Sequence, residues 1–223
     1  HGGIAPQRSR SGHADGAKAA AMATETVTDS FRCTPQPVFD PQGFLHLTIG
    51  RAHANLVQLG NGLRVEARPR ATCALCLVQD GAAYFAHVGD SRIYHLRQQR
   101  IHDRTRDHSH VELLLQEGLI TEEEISDHPM RNFVECCRGG NFALPGMSIG
   151  AVRRLAPGDL LLVCTDGFWS GLEDRDVASL GAGDEAESLA ELLCELRGHL
   201  VAVDRDGRLV GGHVGQVAEL RQR

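Results

Sequence analysis

Positive charge is not in excess in this sequence. Its 23 lysines and arginines stand against 29 aspartates and glutamates, which gives a formal net charge of −6 at pH 7. Binding to a nucleic-acid backbone needs a basic face, so this balance argues against a nucleic-acid-binding protein.

Long apolar runs are also absent. No uninterrupted apolar stretch approaches the ~20 residues of a transmembrane helix, so we expect no membrane span. The first residues lack the apolar core of a signal peptide. The seven cysteines are an odd number scattered through strand and helix patterns. They indicate free thiols instead of a disulfide framework, and they predict a cytoplasmic location.

What the sequence does have is enough apolar material for a substantial core. Its 223 residues are 42% hydrophobic, which fits a single domain spanning residues 1–223 most simply. Residues 1–11 are rich in Gly, Pro, Ser and Arg without periodicity, and we expect a loop or a frayed end there.

An apolar strand that ends at an acidic residue is the central feature of the sequence. Leu160 to Cys164 form a continuous apolar run, which predicts a strand buried on both faces. Asp166 follows this strand and precedes Gly167, where the backbone can turn beside a ligand. A carboxylate there is costly unless a partner neutralises it. The alternative is that Asp166 caps a short helical turn.

A second acidic corner lies between two further predicted strands. Residues 82–88 and 91–96 meet at Gly89-Asp90-Ser91, so Asp90 also sits at the end of a strand. Two carboxylates on rigid strand ends are the kind of oxygen ligands that a hard cation needs.

These two stretches resemble a known family. The segments VGDSRIYHL and LLLVCTDGFWSGLED are similar to the two central motifs of the metal-dependent, type 2C serine/threonine protein phosphatases (the PPM family) in their bacterial form. The intervening Asp107–Glu135 resembles the middle segment of that family. The resemblance covers roughly Gly12 to Leu196, with several motifs in the right order.

The sequence predicts an α/β (α+β) fold, a four-layer sandwich of two mainly antiparallel β-sheets flanked by helices. The prediction rests on the meander turns and on helices grouped in pairs between strand runs. We expect helices over 15–31, 44–59, 110–117 and 184–197. The predicted strands are 71–78, 82–88, 91–96, 98–102 and 159–165.

The resemblance implies hydrolysis of phosphoserine or phosphothreonine in proteins by a water that Mg²⁺ or Mn²⁺ activates. By this likeness Asp166 would hold one ion of a catalytic pair, and Asp90 with Asp166 would hold a weaker third ion. Ser170 stands where many members place another carboxylate. The implied partners are a phosphoprotein substrate and a cognate serine/threonine kinase.

The two ends of the sequence depart from the family pattern. The N-terminal motif with its metal-bridging Asp and the phosphate-holding arginine are not found intact. Asp15-Gly16 is one candidate for the lost pair, although Asp15 also suits a helix N-cap. Residues 198–223 lack the closing Asp-Asn pair, and a hairpin is expected there. Asp204 or Asp206 is an alternative source of the missing ligand.

Two other patterns point only weakly to metal chemistry. Cys73 and Cys76 form a C-x-x-C, but residues three apart on a strand face opposite ways and share no zinc ion. Solvated or capping roles are expected for four histidines, namely His102, His108, His110 and His128.

Two functions therefore compete at this stage. One is a metal-dependent protein serine/threonine phosphatase, and the other is a catalytically inactive pseudophosphatase that binds or regulates a partner. With Asp166 as the one secure ligand of the catalytic pair, we expect little turnover from residues 1–223 and at most one weakly bound Mg²⁺ or Mn²⁺.

Overall fold

The computed structural model describes residues 12–125, 128–130, 146–152, 154–156, 159–169, 171–179, 199–203, 209–213 and 217–219. The described elements are, in chain order, α1 (Gly12–Arg32), α2 (Pro41–Leu59), a 3₁₀ turn (Val65–Ala67), β1 (Cys73–Gln79), β2 (Ala82–Val88), β3 (Arg92–Arg97), β4 (Arg100–Arg104), α3 (His110–Gln116), α4 (Glu122–Ile125), β5 (Ser148–Val152), β6 (Leu160–Cys164), α5 (Asp166–Trp169), α6 (Asp174–Ser179), β7 (His199–Val203), β8 (Leu209–His213) and β9 (Val217–Glu219).

The strands form two sheets. The first has the order β5-β2-β1-β7-β8, and the second has the order β4-β3-β6-β9. All described pairings are antiparallel except that of β1 with β7, which is parallel. The prediction of two mainly antiparallel sheets is therefore confirmed.

The innermost core lies between the two sheets and follows the two-residue period of a strand. Ala74 and Cys76 of β1 meet Leu161 and Val163 of β6 in one buried cluster. The alternate residues of the same strands face outward, because successive side chains point to opposite faces of a sheet.

Helices cover both outer faces and complete the four layers. On the first sheet, Val27 and Phe31 of α1 and Ile49 of α2 pack against the outward-facing Leu75 and Leu77. On the second sheet, α5 and α6 supply buried residues that pack against the outer face of β3 and β6, namely Phe168 and Val177. The predicted four-layer sandwich is confirmed.

A buried ionic cluster fixes the start of β6 against β3. Asp159 is 1% exposed and accepts hydrogen bonds from Arg97 Nε at 2.7 Å and Arg97 Nη2 at 2.7 Å. His95 Nε2 lies 2.9 Å from the same carboxylate, and the backbone N–H of Ala156 donates to it at 2.8 Å. Four polar contacts compensate for the burial of this one charge.

The five predicted strands are present, each within two residues of its predicted bounds. Strand β5 was missed, since its short segment around Gly150 carries no clear alternation. The predicted N-cap role of Asp15 is wrong, because α1 begins at Gly12 and takes Asp15 into its first turn. The expected C-terminal hairpin is present as β7 and β8. The predicted helix 184–197 lies outside the described residues, as does Ser170.

The cysteines behave as the strand pattern predicts. Cys73 packs on the helix-covered side of β1, whereas Cys76 is buried between the sheets, so the C-x-x-C pair does not converge. Burial raises the pKa of the Cys76 thiol to about 12 and that of the Cys164 thiol, also chiefly through burial, to about 12. Both thiols are therefore unreactive at neutral pH.

Candidate metal centre

The pairing of β3 with β6 brings the two acidic corners to one end of the second sheet. Arg92, the first residue of β3, lies opposite Cys164, the last residue of β6, in the antiparallel register. Asp90 stands two residues before Arg92, and Asp166 stands two residues after Cys164. Both aspartates therefore leave the sheet at the same edge.

The Asp90 corner is shaped by Gly89 and held by His108. Gly89 adopts a φ of 98°, a region in which residues with a side chain are strained. The N–H of Gly89 donates to His108 Nδ1 at 3.3 Å, and its carbonyl accepts from the His108 N–H at 2.9 Å. Both backbone groups of Gly89 are thus bound by a single residue.

Of the two roles predicted for His108, solvated or capping, the structure shows the capping one, because its ring accepts a hydrogen bond from the backbone of this corner. Its ring stacks on His87 at 4.5 Å, and its Nε2 lies 2.9 Å from Ser148 Oγ. Burial first, and then the neighbouring His87, lower the pKa of His108 to about 4. The ring is neutral at pH 7, which lets Nδ1 accept the bond from Gly89 while Nε2 donates to Ser148.

The Asp166 corner begins α5. This helix is one turn long, and Phe168 anchors it in the core of the second sheet. Asp166 is the first residue of the helix and is exposed. The short helical turn expected in the alternative interpretation of Asp166 is therefore present, and Asp166 is its first residue, exposed to solvent.

Both aspartates line the same cleft, which has a volume of about 400 Å³. Its walls come from the α1 helix between Gly16 and Val27, from the start of β1, and from the two acidic corners. The hydroxyl-bearing residues Thr72, Ser91 and Thr165 also line it, and Thr72 Oγ1 lies 2.9 Å from Ser91 Oγ. Three hydroxyl groups and two carboxylates therefore contribute oxygen atoms to the lining of the cleft.

The electrostatics of the cleft favour a cation. Burial first, and then the negative charge of Asp166, raise the pKa of Asp90 from its ordinary value of 3.8 to about 6. A divalent cation between the two carboxylates would relieve this repulsion, and carboxylate oxygen is the ligand that Mg²⁺ and Mn²⁺ prefer. The residues thus fit one hard cation, and their role as metal ligands stays a prediction.

Asp90 and Asp166 are the acidic residues among the described residues that line the cleft, which is fewer than a two-metal centre needs. Within the described part of the chain, no group of three or more His, Cys, Asp or Glu residues is placed to hold a metal ion. Asp204 and Asp206 lie outside the described residues. Asp15 directly precedes Gly16 on the cleft wall, so the sequence alternatives for further ligands stay predictions.

Replacing Asp90 by asparagine should stabilise the metal-free protein while weakening its affinity for metal. The folded-state pKa of about 6 lies above the ordinary 3.8, so the stability cost of ionising Asp90 builds up between these two pH values and is complete above about pH 6. At pH 7.5 the asparagine variant should gain roughly 1 kcal/mol after solvent screening. Thermal melting in a chelator measures this gain, and Mn²⁺ titration measures the loss of affinity. A lower melting temperature would contradict the prediction.

Comparisons with known proteins identify the family of this chain. The family described as Protein phosphatase 2C matches residues 7–198. The chain belongs to the protein phosphatase 2C family. Its relatives include serine/threonine phosphatases.

Two relatives illustrate the extent of the likeness. A protein of Streptococcus pyogenes serotype M6 that carries a 2C-type protein phosphatase name is 33% identical over 170 residues, which cover 74% of this chain and 68% of that protein. Protein phosphatase PhpP of Streptococcus pneumoniae serotype 2 is 36% identical over 123 residues, covering 53% of this chain. The match spans 49% of PhpP, about half of its length.

A crystal structure of the same fold comes from Mycobacterium tuberculosis. The serine/threonine phosphatase PstP/Ppp superposes with a TM-score of 0.68 at 24% sequence identity, over 83% of this chain and 77% of that one. This likeness supports the protein phosphatase 2C fold. None of the helices in the described part of the chain is long and apolar enough to cross a membrane.

Proposed function

We propose that this protein phosphatase 2C domain hydrolyses phosphoserine or phosphothreonine in proteins with the help of Mg²⁺ or Mn²⁺. The observation that carries the proposal is the placement of Asp90 and Asp166 on one cleft, where burial first and then the charge of Asp166 raise the pKa of Asp90 to about 6. Two carboxylates that repel each other across a solvent-open cleft are a natural site for a cation.

Asp166 and Asp90 would hold the cation in this proposal. When bound, Mg²⁺ or Mn²⁺ supplies a water of lowered pKa and neutralises charge on the phosphate. The catalytic domain of PstP has been crystallised in complex with two manganese ions, at 24% identity and a TM-score of 0.65. Manganese is therefore the first ion to test.

Arg70 gives the cleft a group suited to the substrate phosphate. It is the one Lys or Arg among the described residues that line the cleft. Its Nη2 donates to the Val65 carbonyl at 3.3 Å, and no carboxylate of the described residues forms an ion pair with it. A guanidinium that keeps free N–H groups can bind phosphate oxygens in a bidentate manner.

The wider biological setting follows from the same proposal. The substrate would be a phosphoprotein, and the opposing enzyme a cognate serine/threonine kinase acting in the cytoplasm. Residues 1–223 would form one domain of the phosphatase type, with 198–223 as its divergent end.

The second candidate is a pseudophosphatase that binds a phosphorylated partner without turnover. The observation in its favour is that the described residues provide two clustered carboxylates and no third metal-binding group. Such a module would keep the cleft and the Arg70 guanidinium. It would not hold the two metal ions that activate a water for attack on the phosphate.

Calorimetric titration with Mn²⁺, run beside a phosphate-release assay on a phosphothreonine peptide, separates the two functions. For residues 1–223 we expect one weak Mn²⁺ site and little release. Slow release that requires Mn²⁺ supports hydrolysis, whereas peptide binding with no release supports the pseudophosphatase. Two tight sites with clear turnover would mean that Asp15, Asp204 or Asp206 supplies the missing ligands.

A further inference from the structure

A hydrogen bond joins the two acidic corners without involving either carboxylate. Trp169, three residues after Asp166 in α5, donates its indole N–H to the backbone carbonyl of Asp90 at 3.0 Å. This bond ties the helix that carries one aspartate to the turn that carries the other. It uses the Asp90 carbonyl oxygen and leaves the Asp90 carboxylate out of the contact.

Arg92 packs against the face of the Trp169 indole ring. The guanidinium carbon of Arg92 lies 3.4 Å from the centroid of a Trp169 ring, which is a cation–π stack. Asp107 in turn holds Arg92 with two parallel hydrogen bonds, of 2.8 Å to Nε and 2.7 Å to Nη2. Arg92 Nη1 also lies 3.1 Å from the Tyr94 hydroxyl.

These contacts restrict the orientation of the Trp169 side chain. Asp107 is buried and Arg92 is largely buried, so the bidentate pair is shielded from solvent, and a guanidinium held in this way presents a flat surface to the indole. The chain Asp107–Arg92–Trp169 is therefore a rigid bracket from the loop after β4, across the start of β3, to α5.

The bracket opposes the electrostatic force between the corners. Asp90 and Asp166 line the same cleft, and two like charges there favour a wider separation when no cation lies between them. A hydrogen bond from α5 to the Asp90 backbone resists that separation. A site held close to its bound geometry binds metal more tightly, because less ordering accompanies binding.

We infer that Trp169, oriented by Arg92 and Asp107, is a positioning residue that sets the separation of Asp90 and Asp166 and thereby the affinity for the cation they share. The inference rests on the proposed function, since it concerns the same site. The three side chains of the bracket lie in three different elements, and none of them is among the described residues that line the cleft.

The test is the Trp169→Phe variant, which keeps an aromatic ring for Arg92 but has no N–H for the Asp90 carbonyl. Its dissociation constant for Mn²⁺, measured by calorimetry on residues 1–223, should rise about tenfold over wild type. Its melting temperature in a chelator should stay close to that of wild type, because the buried area changes little. A purely structural role would show the reverse, with lower melting temperature and unchanged affinity.

Arg92→Lys provides an independent variant, since lysine forms neither the bidentate bond to Asp107 nor the flat stack on Trp169. It should weaken Mn²⁺ binding to a similar extent. Trp169 is the one tryptophan of the sequence, so its fluorescence reports on the bracket alone and should change in Arg92→Lys. Arg175→Lys is the matched control, because Arg175 is exposed and pairs with Glu173 on the surface. It should change neither quantity.

The outcomes separate the bracket from the proposed function. Absence of Mn²⁺ binding by the wild-type chain would overturn both. If the wild-type chain binds Mn²⁺ and the dissociation constant of Trp169→Phe lies within twofold of the wild-type value, the role of the bracket is overturned and the proposed function stands. If Trp169→Phe fails to fold, Arg92→Lys decides, and an unchanged Mn²⁺ affinity in that variant would overturn the inference.

Discussion

Replacement of Asp166 by alanine is expected to abolish Mn²⁺-dependent hydrolysis of p-nitrophenyl phosphate, whatever rate the wild-type chain shows. Asp166 opens α5 at the cleft, and its exposed carboxylate is a ligand of the proposed cation. Without it, Asp90 alone would face the cation, so we expect at least a ~100-fold fall in the Mn²⁺-dependent rate. Release of p-nitrophenol over a range of Mn²⁺ concentrations measures the effect.

Asp174→Ala is the matched control for this experiment. Asp174 is also an exposed aspartate at the first position of a short helix, but it does not line the cleft. Its rate should equal that of wild type. A Mn²⁺-dependent rate that survives in Asp166→Ala would show that Asp90 and Asp166 are ordinary turn aspartates. The metal-ligand roles that the family resemblance implies for them would then be wrong.

The largest loss of stability is expected for Asp159→Asn. Asp159 is buried, and its carboxylate joins His95 and Arg97 of β3 to the start of β6. Asparagine keeps the shape but removes the charge and presents N–H groups to other N–H donors. Breaking a buried ion pair in this way should lower the free energy of unfolding by about 3 kcal/mol, which urea denaturation at pH 7 measures.

The pH dependence gives a second test of the same cluster. Burial raises the pKa of Asp159, but hydrogen bonds from Arg97, Ala156 and His95 outweigh it and hold the pKa below its ordinary value of 3.8. Stability from this carboxylate is therefore present above about pH 4 and is lost as the pH falls further. The difference in unfolding free energy between wild type and Asp159→Asn should therefore narrow as the pH falls below about 4.

Asp103→Asn serves as the control for Asp159→Asn. Asp103 is exposed on β4, and its contact with the Arg104 N–H needs only an oxygen acceptor, which asparagine retains. The change should stay within ~0.5 kcal/mol of wild type. Equal stability of Asp159→Asn and wild type at pH 7 would mean that the cluster contributes no net stabilisation.

The layer structure was predictable because local sequence patterns encode it. The apolar run Leu160–Cys164 predicted the buried central strand, and the Gly89-Asp90 corner predicted the turn between β2 and β3, with strand ends shifted by at most two residues. Strand β5 was missed, since its pairing with β2 depends on a partner that lies far away in the chain. Its Gly150 lies close against the ring of Phe85, which is a tertiary reason for a small residue.

The supporting contacts of the candidate site were not predictable in the same way. His108 carries no sequence signal for its two bonds to Gly89, nor does Asp107 for its pairing with Arg92. A hint existed for Trp169, which is the sole tryptophan and stands beside an acidic corner. The hydrogen bond to the Asp90 carbonyl spans 79 positions of the chain, a separation at which propensity and periodicity carry no information.

The sequence by itself determined which residues alternate between inner and outer faces, where the strands turn, and that two aspartates stand at the ends of core strands. These properties depend on neighbours within a few positions, where strand period, turn chemistry and glycine conformation act. The family resemblance implied that the two aspartates share an ion, but only tertiary structure shows that both line one cleft, that burial and Asp166 raise the pKa of Asp90, and that a bracket of Asp107, Arg92 and Trp169 joins their supports. The reason is physical, since Coulomb forces, burial and hydrogen bonds act across space and the register of β3 with β6 sets the distances over which they act.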